Sequence, residues 1–453
     1  MAAEPKSSFP VLEVEGYFWL PGHSKRFYGR IEHALPVGVQ LHLFDTDLTQ
    51  WEPDGPRGPG KIEVLHGEEL GGRPLTLLEV FPQRWSHAGL RGDGGDVIDG
   101  FTETLLRGTH VSRRDELMVS LASCSLHGLR EFLTGGLVDG GVLAAPVADS
   151  RADTLPIDLG AGVQLLLVAE RAHNLNRTKE SREVLARAQW TFDPPLTLTR
   201  LEEGYLRPLR DLILFATRRQ SYITSLSINP DLEDPYSVGI LQRAYPRPRE
   251  TPAIYALALN LAEHQDPAAL ISKWFRLRRK IGPVWGSFFA SLDRSESLLE
   301  DRLFGLLSFA EGYDRALRPE APLSADEEKA AKAAIKKALP DPRVRAVYKG
   351  AINHANTKTL RARLDYLIDN ATSVLDGWDL DRDLLRDQLV DTRNWLVHWG
   401  ERGRHVVEDG QGLVNLVRRL GLVLCVNVLL ELGVDQEVAA NVVASGWRLD
   451  GLP

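Results

Sequence analysis

The sequence predicts an α+β protein in two parts: a β-rich, sandwich-like domain over residues 1–290, with some helices near its end, then an all-α bundle over residues 291–453. Three observations predict it. The first half carries short runs of alternating apolar and polar residues broken by glycine and proline, and beyond Ser291 the apolar spacing becomes helical. At 453 residues the chain also exceeds what one ordinary core holds.

The strand signals come first. Leu12 to Glu15, Val39 to Leu43 and Ile62 to Val64 alternate, and Val163 to Val168 is a fuller apolar run. The stretches around Pro53 to Gly60, Gly92 to Gly95 and Gly135 to Gly141 read as turns, so either a sandwich or a curled antiparallel sheet is expected. From Leu201 the pattern mixes. Leu201 to Ala216 has helical spacing, Ser221 to Ile228 alternates, and Ala268 to Arg279 is helical with basic residues on one side. Five consecutive helices follow, over Leu298 to Leu317, Ala325 to Leu339, Leu360 to Leu375, Leu380 to Trp399 and Leu413 to Leu432.

Composition narrows the function. With 43% hydrophobic and 26% charged residues the chain is globular rather than disordered, and a net charge of -8 argues against non-specific coating of nucleic acid. Any nucleic acid must be met locally. Cys124 and Cys425 are too few and too far apart for a disulfide framework or a cysteine-rich zinc site, and fit a reducing cytoplasm. The segment MAAEPKSSFP lacks signal-peptide features. Leu420 to Leu432 is strongly apolar but interrupted by Gly421, Asn427 and Glu431, and is shorter than the roughly 20 residues a bilayer needs, so a buried helix is expected and no membrane contact.

The informative segment is the helix that ends at His398. Asp379 suits its N-cap, Asp381 and Asp383 suit the positive end of its dipole, and Gly400 suits its stop. At about 100° per residue, Leu385, Leu389, Thr392, Leu396 and Trp399 form the face turned into the bundle. Asn394 and His398, an i, i+4 pair, fall about 180–220° away, with Asp391 near the same line and Arg393 about 140° from His398. An arginine, an amide and a histidine on an outward face suit phosphodiester chemistry. A neutral imidazole takes a proton from a ribose 2'-hydroxyl, an imidazolium protonates the leaving oxygen, and a guanidinium braces the phosphorane; no metal or other cofactor is called for.

Arg393-Asn394-x-x-x-His398 resembles the R-x4-6-H signature of the HEPN superfamily in its RN-x-x-x-H form, placed on a late helix with the apolar Leu413 to Leu432 helix after it. The long first half, with Val14 to Pro21 near its start and Lys273 to Arg276 before the bundle, is similar to the ApeA-like branch. The resemblance implies a metal-independent endoribonuclease acting as a homodimer whose paired motifs form one cleft. His398 would be its acid/base catalyst, Arg393 its phosphate-binding residue and Asn394 a positioner of the motif. Asp391 is a supporting candidate from the helical wheel alone. The resemblance also implies antiphage defence by abortive infection, in which host RNA, transfer RNA among the candidates, is cut after a trigger such as a phage protein.

Other signals are weaker. Lys273, Arg276, Arg278, Arg279 and Lys280, interleaved with Trp274 and Phe275, are candidate RNA-backbone contacts beside the plainer reading of a solvated helix face. Asp93, Asp96 and Asp99 lack the spacing of a calcium loop and read as a solvated turn. His33 and His42 read as structural histidines, Trp19 as a core residue, and Lys329, Lys332, Lys336 and Lys337 as a solubilising surface. The rival functions are a non-catalytic HEPN scaffold and a ligand-binding protein whose β domain is primary.

Overall fold

The computed structural model describes residues 12–34, 38–46, 61–86, 96–134, 153–176, 179–217, 220–230, 237–242, 259, 261, 264–293, 297–319, 321, 323–354, 356–375, 380–398, 403–408 and 410–444. Two compact units form, Met1–Phe275 and Arg276–Pro453. The first is β-rich and the second helical, as the sequence predicts.

Six strands, β1 (Leu12–Trp19), β2 (Phe27–Ala34), β3 (Gly38–Thr46), β4 (Ile62–Glu69), β5 (Pro74–Ser86) and β6 (Asp96–Arg107), pair antiparallel in the order β3-β2-β1-β4-β5-β6, and β3 closes on β6. Of the two forms open to the first half, the curled sheet is the one adopted, and it curls into a barrel. Strand β6 makes this possible by changing partner along its length. Its residues Asp96 to Thr102 close the barrel against β3, while Thr104 to Arg107 pair with β12 (Val238–Gln242). From there the sheet continues through β11 (Ile223–Asn229), β7 (Met118–Leu126), β10 (Lys179–Thr197) and β9 (Val163–Asn176) to β8 (Asp153–Gly160).

Period-two alternation fills the barrel. Phe18, Ile31, Leu41, Leu43, Leu65, Leu75 and Leu77 point inward from neighbouring strands, each almost wholly removed from water. Phe18 needs the bare backbone opposite: a Cβ on Gly67 would lie 2.6 Å from its ring. At the β8–β9 turn, Gly162 has φ +76°, and a Cβ there would meet the carbonyl oxygen of Asp193 at 1.7 Å. Gly162→Ala therefore combines left-handed strain with a backbone clash, and is expected to cost about 2 kcal/mol or more. Thermal unfolding of the purified variant checks this.

Trp19 differs from its sequence reading. It is half-buried at the barrel surface rather than in the core, with the Arg26 guanidinium 4.3 Å from its ring and the His110 ring 5.4 Å away. Its neighbour Phe18 takes the inward position, because successive strand residues face opposite sides. His42 pairs through Nδ1 with Asp99 Oδ1 at 2.8 Å, so both tie the β3–β6 seam together. Asp99 thus sits in a strand, and Asp93 lies outside the described residues. Among the described residues no His, Cys, Asp and Glu group is arranged to hold a metal. The three expected turns, over 53–60, 92–95 and 135–141, also lie outside the described residues.

Against the open part of the sheet pack α1 (Leu129–Thr134) and α2 (Leu198–Leu201), and α3 (Arg207–Thr217) lies on α1, with a π-turn over Glu202–Leu206 between α2 and α3. The helix α4 (Pro267–Ile281) begins in this unit, where Trp274 stacks on Phe215 and its Nε1 donates to the Pro208 carbonyl at 2.8 Å.

The second unit contains α5 (Trp285–Asp293), α6 (Leu299–Leu317), α7 (Ala325–Ala338), α8 (Pro342–His354), α9 (Leu360–Thr372), α10 (Arg382–His398), α11 (Gly410–Leu432) and α12 (Gln436–Ala444). Helix α11 is long and apolar enough to cross a membrane, yet it is the central helix of the bundle, with fifteen buried residues packed against α6, α9, α10 and α12. Two polar groups are buried beside it. Asn427 donates to the Leu367 and Val423 carbonyls at 2.8 Å each and accepts from Asn370 at 2.9 Å; Asp314 accepts from Arg363 at 2.6 Å and from Arg318 at 2.7 Å.

Candidate active site on the last turns of α10

Helix α10 starts two residues later than Asp379 would place it. Asp381 is the cap: its Oδ1 accepts from the Leu384 amide at 2.9 Å and its carbonyl from the Leu385 amide at 2.9 Å. Asp379, Trp399 and Gly400 lie outside the described residues. Leu385, Leu389 and Thr392 are fully buried, so the apolar stripe faces the bundle, with Leu396 half-buried above them.

Ion pairs fix α10 antiparallel to α9. Arg361 meets Asp387, Arg386 meets Asp365 at 2.8 Å, and Arg382 meets Asp369 at 3.3 Å. The Arg386 guanidinium beside Asp387, and then that of Arg361, hold the Asp387 carboxyl below the usual carboxylate range. Since Asp387 pairs near the start of α9, the eleven residues from there to His398 carry α10 about 16 Å further along, at 1.5 Å per residue. The motif therefore stands at the end of the bundle.

There the polar residues point outward. Asn394 and His398 are exposed and Arg393 is half-buried, its Nη1 donating to Asn394 Oδ1 at 3.2 Å. Arg393 and Asn394 are brought together within one chain; His398 stands one turn beyond them on the same exposed side, next to Val397 at 43% exposure. An imidazole and a guanidinium held open to solvent on a rigid, capped helix can receive a phosphodiester from outside the bundle.

Asp391 has a different task. Its Oδ2 accepts from the His405 amide at 3.1 Å, and Thr392 Oγ1 accepts from the Val407 amide at 3.0 Å, so the segment after the helix folds back along it. Gly403 allows this approach, since a Cβ there would lie 2.8 Å from the Asp391 carboxyl carbon. Sequence reasoning missed Gly403, His405 and Val407, because each meets α10 from twelve to fifteen residues away and carries no local signal. Asp391→Ala frees the exit of α10 beside His398. It is expected to cost about 1 kcal/mol of stability by leaving the His405 amide without its acceptor, which chemical denaturation measures.

The basic set on α4 divides. Lys273, Arg276, Arg279 and Lys280 are exposed and Arg278 is half-buried, whereas Trp274 and Phe275 are buried in the hydrophobic core. The aromatics are thus unavailable to stack on a base, which leaves the cations alone as a candidate backbone contact.

Two family models match the chain. Apea-like HEPN matches residues 304–438, which hold the motif helix and the bundle around it, and ApeA N-terminal domain 1 matches residues 13–252, more than half the chain. Neither a curated protein nor a solved structure matches it.

Proposed function

The chain belongs to the ApeA family of HEPN proteins, and from that premise we propose that it is an endoribonuclease of antiphage defence. HEPN domains are generally ribonucleases. The observation that carries the reading is the exposed Arg393, Asn394 and His398 at the solvent end of α10.

His398 takes the proton from a ribose 2'-hydroxyl as that oxygen attacks the adjacent phosphorus. The bond to the 5'-oxygen then breaks, and an imidazolium returns a proton to it, leaving a 2',3'-cyclic phosphate and a 5'-hydroxyl. Arg393 braces the phosphorane through its guanidinium, and Asn394 holds that guanidinium by the 3.2 Å hydrogen bond. Protons enter and leave on opposite sides of the phosphorus, which two imidazoles serve better than one. A homodimer that faces two α10 ends across a cleft supplies the second. Neither proton step draws on a metal.

The β-rich unit then restrains the cut until a trigger such as a phage protein arrives, and host RNA, transfer RNA among the candidates, is the substrate. The test is cleavage in chelator of an RNA carrying a single 2'-deoxynucleotide at its mapped cut site. The reading expects loss of that cut alone; persistence of the cut at the deoxynucleotide would remove the 2'-hydroxyl from the mechanism and His398 from its role.

A further inference from the structure

The bundle carries two successive helices, α7 and α8, that its own core does not explain. None of the α7 residues is buried, and the α8 residues from Pro342 to Tyr348 are all exposed except the half-buried Arg345. Isolated helices of 13 or 14 residues are marginal in water, and these two are built to stand regardless. Ser324 and Glu327 form a capping box, Glu328 pairs with Lys332, and Asp341 caps α8 at 2.7 Å from the Arg343 amide. Asn356 closes their base, bonding the Leu323 amide at 2.7 Å, the Leu323 carbonyl at 3.0 Å and Glu328 at 2.9 Å.

Their charge runs against that of the chain. From Ala325 to Lys349 there are seven Lys and Arg against four Asp and Glu, with Asp341 spent as the α8 cap, in a protein of net charge -8. Tyr348 stands 52% exposed on α8 among these cations.

The two helices are also rooted at the end of the bundle that bears the motif. They are inserted between the end of α6 and the start of α9, which meet through Asp314 with Arg363 and Arg318 with Tyr366. Since α9 and α10 run antiparallel, the start of α9 and the end of α10 lie at one pole. We propose that α7 and α8 form an RNA-gripping arm for the site on α10, in which Lys336, Lys337, Arg343 and Arg345 contact backbone phosphates and Tyr348 stacks on an unpaired base. This rests on the ribonuclease reading and adds to it the surface that holds the substrate. It also gives a function to lysines that read from sequence as mere solubilising surface.

The test uses full-length His398→Ala, which binds without cutting, and a fluorescein-labelled RNA stem-loop followed by anisotropy over a range of salt. Adding Lys336→Glu, Lys337→Glu and Arg343→Glu is expected to weaken binding at least tenfold and to flatten the slope of log K against log salt by about 2, at about 0.7 per single-strand phosphate contact. The same three positions changed to Gln lose less, and Tyr348→Ala weakens binding at least fivefold with the slope unchanged. Unchanged affinity and slope in the charge-reversed protein overturn the arm and leave the ribonuclease reading standing. Failure of the His398→Ala parent to bind RNA at all overturns both. Conversion of the charge-reversed protein from dimer to monomer in sedimentation makes α7 and α8 a contact between copies, and also overturns the arm.

Discussion

His398→Ala is expected to slow RNA cleavage by about 10²–10⁴-fold, the usual contribution of a positioned acid or base, without lowering the melting temperature. The separation follows from placement, since the imidazole is exposed beyond the buried stripe of Leu385, Leu389 and Thr392 and none of these loses a contact. Arg393→Ala should fall by about 10²–10³-fold through loss of charge stabilisation at the phosphorane. Arg393→Lys restores charge but not the planar fork, so it recovers little. In cells the same variants lose growth arrest and protection together. Initial rates on a defined RNA, with melting curves beside them, check both halves of the expectation.

Asp314→Ala is expected to act in the opposite way, on stability before activity. Asp314 is 1% and Arg363 6% exposed, so removing the carboxylate leaves a buried guanidinium without its partner. Such half-pairs cost about 3–5 kcal/mol, far more than the pair itself is worth. Asp387→Ala removes an ion pair at the partly exposed α9–α10 surface and should cost within about 1 kcal/mol. Chemical denaturation of the two variants side by side separates these magnitudes.

Local patterns in the sequence reach as far as local causes do. β1, β3 and β4 are legible because their residues alternate, and β9 because Val163 to Val168 is a short apolar run. Closure of the barrel is not legible, since it depends on pairing Val39 with Thr102, sixty-three residues apart. β10 hides for another reason: Lys179 to Arg187 is rich in charge, and its strand is fixed by β9 rather than by its own pattern. Among the helices, α7 announces itself through Ser324 and Glu327, whereas the described side chains of α8, Pro342 to Tyr348, bury no stripe and so offer no period to read. The outward face of α10 follows from 3.6-residue periodicity, which places Asn394 and His398 opposite Leu385. The cap moved from Asp379 to Asp381 because capping depends on which carboxylate reaches the Leu384 amide, a matter of backbone geometry. The engagement of Asp391 with the 403–407 segment is tertiary and leaves no mark in the helical wheel.

The most direct measurement compares the helical unit of wild type and of His398→Ala, freed of the β-rich unit that restrains it and matched in melting temperature, on total RNA in excess chelator. Discrete cleavage by the wild type and intact RNA with the variant are the expected results. Equal cleavage by the two proteins, or none by a dimeric wild type freed of its β-rich unit, would mean that the polar face at the end of α10 is not where RNA is cut.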